Sequence, residues 1–439
     1  MLKRSLVLVL LLALATAVVG PVGVTRAQGD IECFGSEGSD VSVISVWAGE
    51  EEETFKQVLS PVLEACDLTL NHEGTRDLQT VLSTRVEGGE PPDIASMPNV
   101  GALQQYAENL VPLSEVNVNA DNYDQSWQDL GSVGGTWYGL PIKTDIKSLV
   151  WYSPLSFELE GYEVPTTWED FTALLDTMAA TDTPALAMGF ESGGATGWAG
   201  TDFVQDLLLR LQSADYVRGL ATGATNWTDQ GMVDAWTMYV DWVNTYGAGG
   251  SDGTRTTNFN DAILQPFQDP PQAWMVKQSG FAGSATIQPA FPDFQYGEDF
   301  AFFVLPGPGG EPAPMQVGAD FIAVFNNTPA VQAVMNYLTS AQGASAWAAS
   351  GFDLTPNSAV DISAYENPIS AGKAQALLDS PEVVFDVGDL LPGGAGQAEF
   401  DALTAAVGGA DVAEQLGAIQ QAIDEASMGA DMAATEAAG

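Results

Sequence analysis

The 439-residue chain carries 13 Lys+Arg against 58 Asp+Glu and a single His, for a formal net charge of −45 and a sequence pI near 4.1. So acidic a surface repels nucleic acid and anionic membranes, and neither is expected as a partner; the acids are spread along the whole chain, which reads first as solubility, in a salty medium for example, and only second as a sign of a functional partner. The length suits two ordinary domains, and a 46% hydrophobic content is usual for a folded chain.

In chain order, Lys3 and Arg4 precede an apolar run from Leu6 to Val19, and Thr25-Arg26-Ala27 supplies a small-x-small cleavage site. Residues 1–27 are therefore expected to be a secretory signal peptide, because the run is short for a span and no later apolar run reaches spanning length. A retained N-terminal anchor stays open as the alternative. The expected location is periplasmic, or the outer face of the cytoplasmic membrane. Cys33 and Cys66 are the only cysteines. In an oxidising compartment such a pair reads as a disulfide before it reads as a metal site, and two free thiols remain the other possibility.

"DVSVISVWAG" (40–49) alternates as a strand does, and "EEEETFKQVLSPVLEAC" (50–66) places Phe55, Val58, Leu59, Val62 and Leu63 at helical spacing behind an acidic first turn. "DLTLNHEG", "DLQTVLSTRVEGG" and "PPDIASMP" continue the rhythm as strand, helix and strand. This βαβαβ order predicts a parallel sheet, whose ligands bind beyond the carboxyl ends of the strands. Further on, "TTWEDFTALLDTMAAT" opens with Thr167 as an expected N-cap, and "TDFVQDLLLRLQSADY", "QGMVDAWTMYVDWVNTY" and "TPAVQAVMNYLTSAQGASAWAAS" read as amphipathic helices. "DFAFFVL" and "GADFIAVF" read as strands. The last residues, 429–439, are small and polar and are expected to form a disordered tail.

Several chemistries have no support. One histidine, His72, with a cysteine pair rules against zinc and Cys-His catalysis, and no phosphate-cradling glycine loop or GxSxG elbow is present. No cofactor and no metal are expected. Paired acids for glycoside hydrolysis remain open only because acids abound. Eleven Trp and eleven Tyr stand out, several beside Gly, Asp, Asn or Arg at predicted strand ends or loops. Aromatic faces match the C–H faces of a sugar, and Asp, Glu, Asn and Arg match its hydroxyls.

The ordered set "VWAGEEEETF", "GTRDLQTVLSTRVEGGEPPDIASMPNVGALQQYAENLVPL", "WYGLPIKTDIKSLVWYSP", "VPTTWEDF", "GWAGTDFVQDLLL", "DPPQAWMVKQSGFAG", "GADFIAVF", "DLTPNSAVDISAY" and "FDVGDLLPG" resembles the extracellular solute-binding proteins of carbohydrate ABC importers, in particular their alpha-glucoside-binding branch. The resemblance implies an α/β, type II-like periplasmic-binding-protein fold, with two lobes around a ligand cleft and chain crossings as hinges. Lobe one is then 30–143 with 318–355, and lobe two is 144–317 with 356–428. "PIKTDIKSLVWY" becomes the first crossing, where Lys143 and Lys147 share one strand face. The implied ligand residues are Trp47 and Glu50 after the first strand, Arg76 and Asp77 after the second, Asn99 after the third, then Lys143, Trp198, Trp274, Asp320 and Asp389. The implied function is a monomeric receptor, not an enzyme, that delivers a sugar to a membrane permease. Its rivals are a polyamine or peptide receptor of the same fold and a secreted glycoside hydrolase. The chain departs from lipid-anchored members of the family in lacking a lipid-attachment cysteine directly after the apolar run, which favours a free periplasmic protein.

Overall fold

The computed structural model describes residues 31–437 apart from 311, 312 and 393. The expected signal peptide lies outside the described residues. Strand β1 (Asp40–Ser45), helix α1 (Glu50–Ala65), β2 (Thr69–Gly74), α2 (Leu78–Glu87) and β3 (Ile94–Met97) form the predicted βαβαβ run, with β1 parallel to both β2 and β3. The period-two pattern decides which side each residue faces. Val41 and Val43 pack on one side with Phe55 and Leu59 of α1, while Ile44 and Ala95 pack on the other with Leu78 and Leu82 of α2.

The chain then enters β4 (Gly139–Ile146), buried along its whole length, and passes through Lys147 and Ser148 into β5 (Leu149–Tyr152) of a second sheet. There α3 (Trp168–Ala179) starts on Thr167, whose hydroxyl accepts the Asp170 N–H at 3.0 Å, as its position predicts. β6 (Leu186–Ala187), α4 (Trp198–Leu211), α5 (Gln230–Tyr246), β7 (Met275–Lys277) and β8 (Ala301–Val304) complete this lobe, whose four-stranded sheet runs β8-β5-β7-β6.

β9 (Met315–Val324) returns to the first sheet, antiparallel to β3 and β4. Helices α6 (Pro329–Thr339) and α7 (Ala341–Ser350) cover that sheet, with Val331, Val334 and Leu338 of α6 packed among the α1 side chains. The chain leaves again past Leu354, which bridges Thr144 of β4, into α8 (Pro368–Asp379). β10 (Val383–Phe385) pairs in parallel with the start of β9, giving a six-stranded sheet of order β10-β9-β3-β1-β2 with β4 also on β9. Helices α9 (Ala395–Val407) and α10 (Val412–Ala437) close the second lobe. Where a disordered tail was expected from residue 429, α10 runs on through Ala437. Ala, Met and Glu dominate that stretch and are strong helix formers, so propensity favours the helix there.

Cys33 and Cys66 form a disulfide with a Cα–Cα separation of 5.3 Å, tying the segment before β1 to the end of α1. Closing a loop of 33 residues contributes about 3–4 kcal/mol in the chain-entropy picture. Among the described residues, no helix is long and apolar enough to cross a membrane.

Candidate functional site

The carboxyl ends of β1, β2 and β3 face a partly open cavity of about 130 Å³ between the two sheets. Trp47, Glu51, Arg76 and Pro98 come to it from the first lobe, Trp198, Thr201, Asp202 and Phe281 from the second, and Lys143, Asp145, Lys147, Asp320, Asp386 and Asp389 from the crossing segments and the loop after β10. A second cavity of about 110 Å³ adjoins it, sharing Arg76, Asp389 and Phe400 and adding Asp77, Asn99 and Tyr106.

The charged residues of the wall are already paired with one another. Arg76 donates to Glu51 at 2.6 Å, and its guanidinium carbon lies 5.0 Å from the ring centre of Phe259, a second-lobe residue. Asp77 accepts the Gly194 N–H at 2.8 Å, again from one lobe to the other. Lys143 lies opposite Asp320 in the β4–β9 ladder and donates to it at 3.2 Å, and the Trp47 indole N–H donates to the same carboxylate at 2.8 Å. Lys147 meets three carboxylates, Asp202 at 3.0 Å, Asp386 at 2.5 Å and Asp389 at 3.1 Å. A side chain on Gly318 would crowd it, since a Cβ there would stand 2.6 Å from Lys147 Cε.

Burial and these partners set the protonation. Burial works against both lysinium ions, but the surrounding carboxylates outweigh it and hold Lys143 and Lys147 above the ordinary lysine range. Burial, with Asp386 beside it, pushes Asp202 up to about 7 against the pull of Lys147. Burial also raises Asp389, and it raises Glu399 behind the loop, where Asp386, Asp389 and Asp202 add to the effect. Asp386 resists burial and stays below the usual carboxylate range, held chiefly by Lys147, with the Gly388 N–H helping. Burial raises Asp145 too, with Asp353 as the second cause.

Helix α4 explains how these charges are held in place. It is buried from Gly200 to Arg210, yet it carries Asp202, Asp206 and Arg210 four residues apart on one face. Asp206 takes the Ser148 hydroxyl, Lys277 at 3.0 Å and Arg210 at 2.8 Å. Arg210 also donates to the carbonyls of Leu305 and Pro314, on the segment that returns to β9. A single helix face therefore runs from the cavity to two of the interlobe crossings.

Of the residues expected from sequence, Arg76, Lys143, Trp198, Asp320 and Asp389 line the first cavity, and Arg76, Asp77, Asn99 and Asp389 line the second. Asn99 also caps the turn that follows it by accepting the Ala102 N–H. Trp47 reaches the wall, but its rings are consumed by Phe55, Trp347 and Phe352, so it positions Asp320 and offers no free stacking face. Two of the expected residues, Glu50 and Trp274, line neither cavity. Glu50 is exposed at the start of α1, and Glu51, one residue on, faces the cavity in its place, because the helix begins at Glu50 and turns the next side chain inward. Trp274 packs edge-on against Tyr162 in the helical core of the second lobe, away from both cavities. Sequence reading missed Asp145, Asp202, Asp386 and Phe281. For Asp202 a signal existed in the charged four-residue spacing within an otherwise apolar helix.

Two α/β lobes, joined by several crossings and closed on a cavity at their strand ends, define a ligand receptor of the periplasmic-binding class. A family model for bacterial extracellular solute-binding proteins matches residues 48–345, and the chain belongs to that family. It is 32% identical over 418 residues to the osmoprotective compounds-binding protein GgtB of Synechocystis sp., covering 93% of this chain and 98% of that one. It is equally 32% identical over 410 residues to the alpha-glucosides-binding periplasmic protein AglE of Rhizobium meliloti, covering 88% of each. Among solved structures, a chitin oligosaccharide binding protein superposes with a TM-score of 0.75 at 19% identity, covering 88% of this chain and 98% of that one. The raffinose complex of RafE gives 0.65 at 17%, covering 87% and 98%.

Proposed function

We propose that this protein is the sugar receptor of an ABC importer, and that its ligand is a small alpha-glucoside or a related neutral, hydroxyl-rich solute. The observation that carries the reading is the cavity wall itself. Carboxylates, one guanidinium and the aromatic rings of Trp198 and Phe281 converge there from both lobes, a wall suited to the hydroxyls and C–H faces of a pyranose. Two relatives over most of the chain support it, one named for alpha-glucosides and one for osmoprotective compounds. A ligand touching both lobes favours the closed form through its differential contacts, and the closed form is what docks on the permease. The receptor acts outside the cytoplasmic membrane as a monomer, without nucleic acid.

Turnover is not part of this reading. The acids of the wall are engaged with Lys143, Lys147 and Arg76, and the family is one of binding proteins. A thermal-shift screen of the mature chain against maltose, trehalose, sucrose and spermidine tests the proposal. A ligand at a hundredfold excess over its Kd adds about 2.7 kcal/mol, enough to move the melting temperature visibly. A shift with one of the disaccharides is expected. A shift with spermidine alone, vanishing with salt, would replace the sugar with a polyamine.

A further inference from the structure

His72 is the one histidine of the chain and lines neither cavity, yet it sits under the strand ends that supply the cavity wall. Its side chain has no exposed surface. On one side its Nε2 lies 2.9 Å from the Ser45 hydroxyl, at the end of β1. On the other its Nδ1 lies 3.3 Å from Glu52 Oε1, without the alignment of a full hydrogen bond. The groups facing the ring are Ser45 of β1 and Glu52, Glu53, Phe55 and Lys56 of α1, with Glu52 itself paired to Lys56 at 2.7 Å.

Ser45 links this ring to the wall. Its hydroxyl oxygen accepts the Trp47 backbone N–H at 3.0 Å, and its carbonyl accepts the Thr75 N–H at 2.9 Å, one residue before Arg76. The Trp47 indole N–H in turn donates to Asp320, which Lys143 also holds. The two strand ends lie backbone to backbone here, since a Cβ on Gly74 would stand 2.0 Å from the Trp47 carbonyl oxygen. A hydroxyl has one hydrogen to give. The acceptors within reach of Ser45 are His72 Nε2 at 2.9 Å and the Trp47 carbonyl at 3.4 Å, and the shorter contact takes it. The neutral ring therefore carries its proton on Nδ1, towards Glu52, and accepts at Nε2. A second proton, on Nε2, reverses that bond: the imidazolium donates to Ser45, and the Ser45 hydrogen has to turn to the Trp47 carbonyl. Burial opposes this charge and holds His72 below the ordinary histidine range, against the pull of Glu52.

We propose that His72 is a positioning residue for the cleft, acting through Ser45 on Trp47 and so on Asp320, and that its neutral form is the one that binds ligand better. The inference rests on the receptor reading above. The coupling is reciprocal: where charging His72 weakens binding, bound ligand resists the charging of His72.

The lone histidine gives a single imidazole signal, so NMR of the mature chain tests this directly. Its pKa is measured in the free chain and in the chain saturated with whichever of maltose, trehalose and sucrose raises the melting temperature. A fall of about 0.5 on binding is expected, equivalent to sugar binding about threefold weaker when His72 is charged. In the free chain the Trp47 indole N–H signal, identified by its loss in Trp47→Phe, is expected to move with the same midpoint as the imidazole. Ser45→Ala should abolish both effects while His72 still titrates, a result that a merely structural histidine would not give. Coupling that survives Ser45→Ala would overturn the inference. Should that variant fail to fold, the wild-type titrations decide: an equal pKa with and without sugar, or a Trp47 signal that does not follow the imidazole, overturns it. Should none of the three sugars bind, the receptor reading fails, and the Trp47 signal of the free chain still decides whether His72 acts on the wall.

Discussion

Arg76 makes the contact from which most of the ligand energetics can be argued. Its guanidinium holds Glu51 at 2.6 Å and lies over Phe259 of the other lobe, so it belongs to both walls of the cleft. A charge-assisted hydrogen bond contributes about 1.5–3 kcal/mol and a partly desolvated cation–π contact about 1 kcal/mol. Arg76→Ala is therefore expected to weaken sugar binding by about 10- to 100-fold, read by calorimetry. An unchanged Kd would remove Arg76 from the ligand wall. At this scale the sequence was legible where a residue type was scarce. Arginine is rare in so acidic a chain, and a lone arginine at a strand end marked itself. Tryptophan was not scarce enough to sort: Trp47, Trp198 and Trp274 all sit beside small or polar neighbours, and only packing distinguishes a wall from a core. Glu50 and Glu51 differ only by one helical step, which four consecutive glutamates conceal.

At the scale of the element, α4 has the greatest consequences. Its stripe of Asp202, Asp206 and Arg210 lies inside the protein, and Arg210 has no exposed side-chain surface. Removing one partner of a buried charge pair costs about 3–5 kcal/mol, because the other is left uncompensated. Arg210→Met is expected to lose about that much stability in urea unfolding. It takes from Asp206 one of its two cations, leaving Lys277, and frees the carbonyls of Leu305 and Pro314 at the return crossing. A loss below about 1 kcal/mol would mean that the stripe does not hold the crossing. The βαβαβ run, the Thr167 cap and the strand at "GADFIAVF" were readable from periodicity, which is a local property. The pairing of β9 with both β3 and β4 was not, because that register joins residues about 180 apart in the chain, Lys143 with Asp320 for one.

For the whole molecule, the buried acids link stability to pH. Asp202, Asp389, Glu399 and Asp145 all have raised pKa values in the folded chain, with burial the leading cause of each. Such a group keeps its proton in the folded state at a pH where the unfolded chain has released it. Its contribution is thus full below the ordinary carboxylate range and is lost as pH rises through the folded value, about 7 for Asp202. The melting temperature is expected to fall between about pH 5 and about pH 8, and Asp202→Asn to flatten that slope. The net charge of −45 acts in the same direction through self-repulsion, so the difference between variant and wild type carries the test. An identical slope in both would place the proton elsewhere.

The central claim is that this chain binds a sugar between its lobes and leaves it unchanged. The most direct measurement is a calorimetric titration of the mature protein with the disaccharide that stabilises it, followed by chromatography of the sugar after prolonged incubation. The account predicts saturable binding of one sugar per chain and recovery of the intact disaccharide. Release of monosaccharide at a rate that follows protein concentration would contradict it and make the carboxylates of the cavity catalytic.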